Sequence, residues 1–192
     1  MGAKIQHFIL PLPNNLIKKT TMTIKRLFLA AVLMILAVPA FSQDEVVIDV
    51  YIMDNPKDLT TNLRDAPKGK IVKQLPRGVY ALYLSEVRNG WWKVVDMWDA
   101  DEDKGQKLNP MKTYWIHYSV IATGTRNYGG ERLTLRAAPN KTAKAVWSFK
   151  NEISLRPLEV RGEWAKVCTI DGKHTGWIEM EWLCGNPVTN CC

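Results

Sequence analysis

Three groups of residues have types and spacings suited to chemistry or binding. Cys168 and His174, with His117 more distant, are the candidates for a thiol nucleophile and its base. That chemistry needs the base within hydrogen-bond reach and a third group to orient it. Cys168 follows Val167 in an alternating apolar stretch and reads as a packed or disulfide-bonded side chain. His174 falls beside the Asp171-Gly172 turn, and His117 lies far from both, so no catalytic residue is assigned. Asp99-x-Asp101-x-Asp103 resembles the start of a calcium loop, in which alternate carboxylates converge on one hard cation. Lys104 stands where that loop needs Gly, and Pro110 where it needs a bidentate Glu. The stretch reads as a solvated acidic hairpin tip, with no metal or cofactor assigned. A Gly-rich phosphate loop, a Ser-centred elbow and H-E-x-x-H are all missing from the sequence.

The third group is built for binding. Trp91-Trp92-Lys93-Val94 and Trp164-Ala165-Lys166-Val167 alternate as strands do. Lysine seeks water, so Trp92, Val94, Ala165 and Val167 are expected to face a core. Trp91, Lys93, Trp164 and Lys166 are expected at the surface as ligand contacts. A half-exposed indole stacks on a sugar ring or an extended peptide, contributing about 0.5–1.5 kcal/mol beyond its buried area. Trp115 and Trp177, each followed by Ile, are assigned structural roles.

These motifs belong to an internal repeat. Leu63-Arg64-Asp65-Ala66-Pro67 returns as Leu135-Arg136-Ala137-Ala138-Pro139, 72 residues later. Glu86-Val87-Arg88-Asn89-Gly90-Trp91 returns as Glu159-Val160-Arg161-Gly162-Glu163-Trp164, 73 residues later. Tyr114-Trp115-Ile116 returns as Gly176-Trp177-Ile178, 62 residues later, because the first copy carries an insertion over 96–113. A duplicated module of a size able to fold alone follows. Short β-branched and aromatic runs at 71–75, 80–84, 91–95, 145–149, 153–155 and 164–170 predict strands. The turn residues between them point to small barrels or sandwiches.

Ahead of the repeat lies a basic leader. Residues 1–42 hold five Lys and Arg and no acid, leaving 21 bases against 19 acids in the rest of the 192-residue chain. The formal charge of +7 is thus mostly a property of the leader, and a nucleic-acid partner is not expected. Lys25-Arg26, a twelve-residue apolar run at 27–38 and small residues at Ala40 and Ser42 predict a cleaved signal peptide. The apolar run is too short to span a membrane comfortably. Cleavage after Ser42 is expected, and Met22 would begin a signal of ordinary length. Export makes the cysteines disulfide candidates. A small clip joining Cys184 to Cys191 or Cys192 is expected across the 185–190 turn.

In order, L-R-x-x-P, a strand and turn, W-x-K-V, G-W-I and a closing aliphatic residue resemble the bacterial SH3 (SH3b) domain. The resemblance covers nearly all of 58–123 and 131–184. It departs at Tyr114, where the family has Gly, and at the insertion. It implies an all-β chain of two tandem SH3-like small β-barrels, at 43–123 and 124–192, after a signal peptide at 1–42. It also implies a non-catalytic binding role, commonly on cell-wall material. The expected protein is secreted or periplasmic and binds cell-wall peptide or glycan. The alternatives are docking of an extended segment of an envelope protein, and a wall-remodelling enzyme using Cys168.

Overall fold

The structure is a computed structural model, and it describes residues 47–53, 59–102, 104–105 and 107–186. The leader, Cys191 and Cys192 lie outside the described residues, and with them the predicted signal peptide and the partner end of the predicted clip. Among the described residues no helix is long and apolar enough to cross a membrane.

The fold is all-β. The first barrel uses β1 (Ile48–Ile52), β2 (Thr60–Arg64), β3 (Ile71–Pro76), β4 (Tyr80–Arg88), β5 (Trp91–Asp99), β6 (Lys104–Gly105) and β7 (Trp115–His117). A 3-10 turn, Tyr118–Val120, leads into β8 (Ile121–Thr125). The second barrel continues with β9 (Leu133–Arg136), β10 (Ala145–Phe149), β11 (Ser154–Arg161), β12 (Trp164–Thr169) and β13 (Thr175–Glu179). A second 3-10 turn, Met180–Trp182, leads into β14 (Leu183–Cys184).

The repeat in the sequence is also a repeat in register. In the first barrel Tyr51 and Ile52 of β1 pair antiparallel with Ala122 and Ile121 of β8. In the second, Gly124 and Thr125 of β8 pair with Cys184 and Leu183 of β14. Strand β8 therefore closes one barrel with its first residues and opens the next with its last. The junction drawn at 123/124 falls inside this strand. The barrels are continuous through one hydrogen-bonded ladder, β11-β8-β1-β4.

Alternation sets the cores. Trp92, Val94 and Met97 of β5 pack inward with Leu82 and Leu84 of β4, Leu63 of β2 and Ile116 of β7. Ala165 and Val167 of β12 do so with Leu135, Leu155 and Ile178. Each large aliphatic side chain removed from water contributes about 1.5–3 kcal/mol. The β4–β5 hairpin turns at Asn89 (φ +50°) and Gly90 (φ +80°), the pair of left-handed residues that matches the twist of two strands joined by two residues.

The insertion is an extension of this hairpin. Strand β5 continues past Val94 so that Met97, Trp98 and Asp99 pair with Leu82, Ala81 and Tyr80. Its acidic tip is solvated at Asp96, Asp101 and Glu102, as expected, but not at Asp99. Asp99 is only 5% exposed, and its Oδ1 accepts from the backbone N–H of Asp101 (3.1 Å) and Glu102 (3.3 Å). Asp101 Oδ2 accepts from the N–H of Val79 at 3.0 Å, tying the tip back to β4. Burial and the nearby carboxylates of Asp99, Asp101 and Glu102 raise the Tyr80 hydroxyl above its ordinary range. Tyr114, the departure from Gly, is buried, and its hydroxyl accepts from the N–H of Asn109 at 3.3 Å. At the matching Gly176 a Cβ would stand 2.8 Å from side-chain atoms of Leu135 and Val146, so only the first copy has room for a side chain.

Candidate functional site

Strand β5 is laid between β4 and β7, which puts Trp91 opposite His117 and Lys93 opposite Trp115. The expected faces hold: Trp92 and Val94 are buried, while Trp91 and Lys93 are half-buried on the other side. Trp91 borders a cleft of about 380 Å³ whose walls include Leu59, Thr60, Asn62, Arg64 and His117. Its ring centroid lies 5.1 Å from that of His117, and the Arg64 guanidinium carbon sits 5.7 Å from the indole centroid. A cation over an exposed indole contributes about 0.5–1 kcal/mol. Arg64 is held in place because its Nη1 donates to the Gly69 carbonyl at 2.6 Å. The matching Arg136 does the same to Ala143 at 3.0 Å, so the Arg of L-R-x-x-P staples the loop after its strand in both copies.

His117 is fixed on both sides. Its ring lies 4.6 Å from that of Tyr118, and its Nδ1 is 2.7 Å from Ser119 Oγ and accepts from the Ser119 N–H. Burial first, then the cations of Arg156 and Lys68, lower its pKa below the ordinary imidazole value. Arg156 belongs to β11 of the second barrel, and its Nη1 donates to the Tyr118 carbonyl at 3.3 Å. A residue of one barrel thus supports the site of the other.

Trp164 and Lys166 are also half-buried on the outer face of β12, but their surroundings differ. Trp164 stands opposite Glu179, where the first copy has His117. The neighbouring cleft, about 570 Å³, is lined by Glu163, Glu179, Met180 and Glu181, with Lys141 bonded to Glu179 at 2.9 Å. Trp91 and Trp164 are equal in the repeat and unequal in their settings.

Trp115 and Trp177 are both 5% exposed. Arg88 covers Trp115 with its guanidinium carbon 5.3 Å from the ring centroid, and Arg161 covers Trp177 at 5.2 Å. Glu86 and Glu159 hold the respective arginines. The E-V-R block of the repeat is therefore the lid of the W-I block. Both blocks are legible in the repeat, and the fold joins them.

The candidate nucleophile and its base are occupied otherwise. Cys168 is a free, buried thiol, and burial pushes it up, away from the thiolate that attacks. The His174 ring lies flat on Trp147, centroids 4.3 Å apart at 5°, and Trp147 in turn stacks on Phe149 at 4.8 Å. Trp147 thus stacks with two rings.

Arg64, His117 and Arg156 were not among the expected site residues. Arg64 was visible as the Arg of L-R-x-x-P. Nothing local marks the other two, because their importance lies in contacts across the fold.

Residues 129–185 match the family model for the bacterial SH3 domain. No curated protein matches the chain. Among solved structures it is similar to NlpC1 from Trichomonas vaginalis, at 11% identity and a TM-score of 0.29, over 74% of this chain and 47% of that one. It is similar also to NlpC2 from the same organism, at 10% identity and a TM-score of 0.28, over 72% of this chain and 48% of that one. The chain spans about half the length of these two structures.

Proposed function

We propose that the protein, whose residues 129–185 match the bacterial SH3 domain model, is an exported, non-catalytic binder of cell-wall peptide or glycan. The observation that carries this reading is the half-exposed Trp91, held between Arg64 and His117 at an open cleft. Its neighbours fix the indole before any ligand arrives, so little side-chain entropy is lost on binding. The indole presents apolar area, and Thr60, Asn62 and Arg64 beside it offer hydrogen bonds. Lys93, on the same face of β5, adds a cation near the cleft. Trp164 and Lys166 occupy the matching face of the second barrel and serve as a secondary contact. The basic leader and the clustered cysteines support export.

The test is co-sedimentation of the mature protein, residues 43–192, with purified peptidoglycan sacculi. Wild type is expected in the pellet. Trp91→Ala, with its fold checked by circular dichroism, is expected to bind at least about tenfold more weakly, the loss of one well-placed aromatic anchor. Trp164→Ala is expected to lose less. Wild-type protein remaining in the supernatant would overturn the wall reading and direct the search to an envelope protein.

A further inference from the structure

The two barrels differ in charge at three matching positions beside Trp91 and Trp164. Arg64 and His117 flank Trp91 in its cleft, the Lys68 cation acts on His117, and among the described residues no carboxylate lines the cleft. Around the matching turn of the second barrel stand Glu163, Glu179 and Glu181, where the first copy has Gly90, His117 and Ser119. Duplicated modules that keep the same backbone register, with three carboxylates added beside one tryptophan only, do not bind the same group there.

We propose that the Trp91 cleft is a carboxylate site for a short peptide, in which Arg64 and His117 are the contacts and Arg156 of the second barrel is the positioning residue. The proposal rests on the binding role given above and names the group that is bound. Arg64 spends one of its five donors on Gly69 and keeps the others for a planar anion, which a guanidinium grips with two parallel bonds. His117 turns its Nδ1 to the Ser119 N–H and hydroxyl, which leaves Nε2 as the protonated ring atom of the neutral tautomer. The indole of Trp91 supplies the apolar wall for the peptide beside the carboxylate.

Arg156 acts through His117. It bonds the Tyr118 carbonyl and so holds the turn that carries the imidazole. The groups facing His117 are Trp91 and Gly90 from the β4–β5 hairpin, Tyr118 and Ser119 from its own turn, Arg156 from β11 and Lys68 from the β2–β3 loop. The charged ones among them are both cations, and they oppose protonation of the ring. A carboxylate entering the cleft reverses that balance and favours the protonated ring. Binding therefore takes up protons and tightens as the pH falls from about 7.5 toward 5.5, above the range in which the ligand carboxylate itself is neutralised.

Native sacculi and sacculi whose carboxyl groups have been amidated with carbodiimide and ammonia separate the possibilities. The protein is expected to bind the amidated wall at least about tenfold more weakly, and Arg64→Gln to bind native wall with a similar loss. Equal binding of wild type to both walls would overturn the carboxylate site while leaving wall binding intact. Failure to bind either wall would remove the wall reading together with it. For Arg156→Gln, the rise in affinity with acid is expected to begin at a higher pH than in wild type, and the His117 ring protons followed by NMR to titrate higher. Arg156→Lys, which keeps the charge, is expected to restore the wild-type His117 titration. An Arg156→Gln variant with an unchanged pH profile would strip Arg156 of its positioning role.

Discussion

The indole N–H of Trp92 donates to the carbonyl oxygen of Pro157 at 3.0 Å, across 65 positions of sequence and from the core of one barrel to strand β11 of the other. Trp92 is 1% exposed, and the matching residue of the second barrel is Ala165. Tyr51 Oη and Ser154 Oγ, 2.5 Å apart, add a second bond across this seam, and the Gly185 N–H donates to Asp49 Oδ2 at 2.8 Å to add a third.

Removing that side chain is expected to loosen both barrels. Trp92→Ala leaves a cavity in the first core and an unpaired Pro157 carbonyl, and it should lower stability by about 3–5 kcal/mol. Trp92→Phe keeps most of the volume and loses the hydrogen bond, at a cost of about 1–3 kcal/mol. Urea unfolding followed separately by tryptophan fluorescence and far-UV circular dichroism reads both. Wild type should unfold in one transition because the shared strand β8 couples the barrels.

Acid should weaken the fold through His117. Its pKa in the folded chain is lowered by burial, Arg156 and Lys68, so the unfolded chain binds more protons once the pH drops below about 6.5. This contribution to stability is complete above the unfolded value and is lost as the pH falls through the folded one. His117→Gln should therefore lose less stability than wild type between pH 7.5 and 5.5, read as the difference in urea midpoints (approximate range for an imidazole). Equal losses in the two proteins would show that His117 is not the responsible group.

The four cysteines should divide into one clip, the buried thiol of Cys168 and one further thiol, whichever of Cys191 and Cys192 stays outside the clip. Cys168 is buried and free, and its thiol is pushed up by burial, so it should resist alkylation until the chain unfolds. Cys184 is expected to be joined to Cys191 or Cys192. Intact mass with and without reductant, followed by peptide mapping of the alkylated chain, identifies the pairing and the free thiols.

Much of the fold was legible from periodicity. Alternation in Trp91-Trp92-Lys93-Val94 assigned each side chain to its face, and the structure keeps that assignment. The strands at 71–75 and 145–149 were legible from their β-branched and aromatic runs between turns, and β3 and β10 lie there. Strand β8 was less so, because Ile121-Ala122-Thr123-Gly124-Thr125 looks like a linker with a glycine in it. Its strand character comes from pairing with β1, β11 and β14, three partners distant in sequence. The buried Asp99 was hidden for a similar reason: an acidic residue reads as solvated until its carboxylate is seen capping the turn of its own hairpin.

Repeat order, the all-β class and the face on which each tryptophan leaves its strand were thus written in the linear chain, because a period of two residues is a local property. Which of those tryptophans borders a cleft with cationic walls depends on β2, β5 and β7 meeting within the first barrel, with Arg156 reaching in from the second. Trp91 gained Arg64 and His117, and His117 gained the support of Arg156, through contacts that no local pattern encodes. Trp164 shares the W-x-K-V pattern and faces Glu179. Side-chain direction follows from the backbone of a single strand, whereas charge and shape at a cleft depend on several strands arriving together.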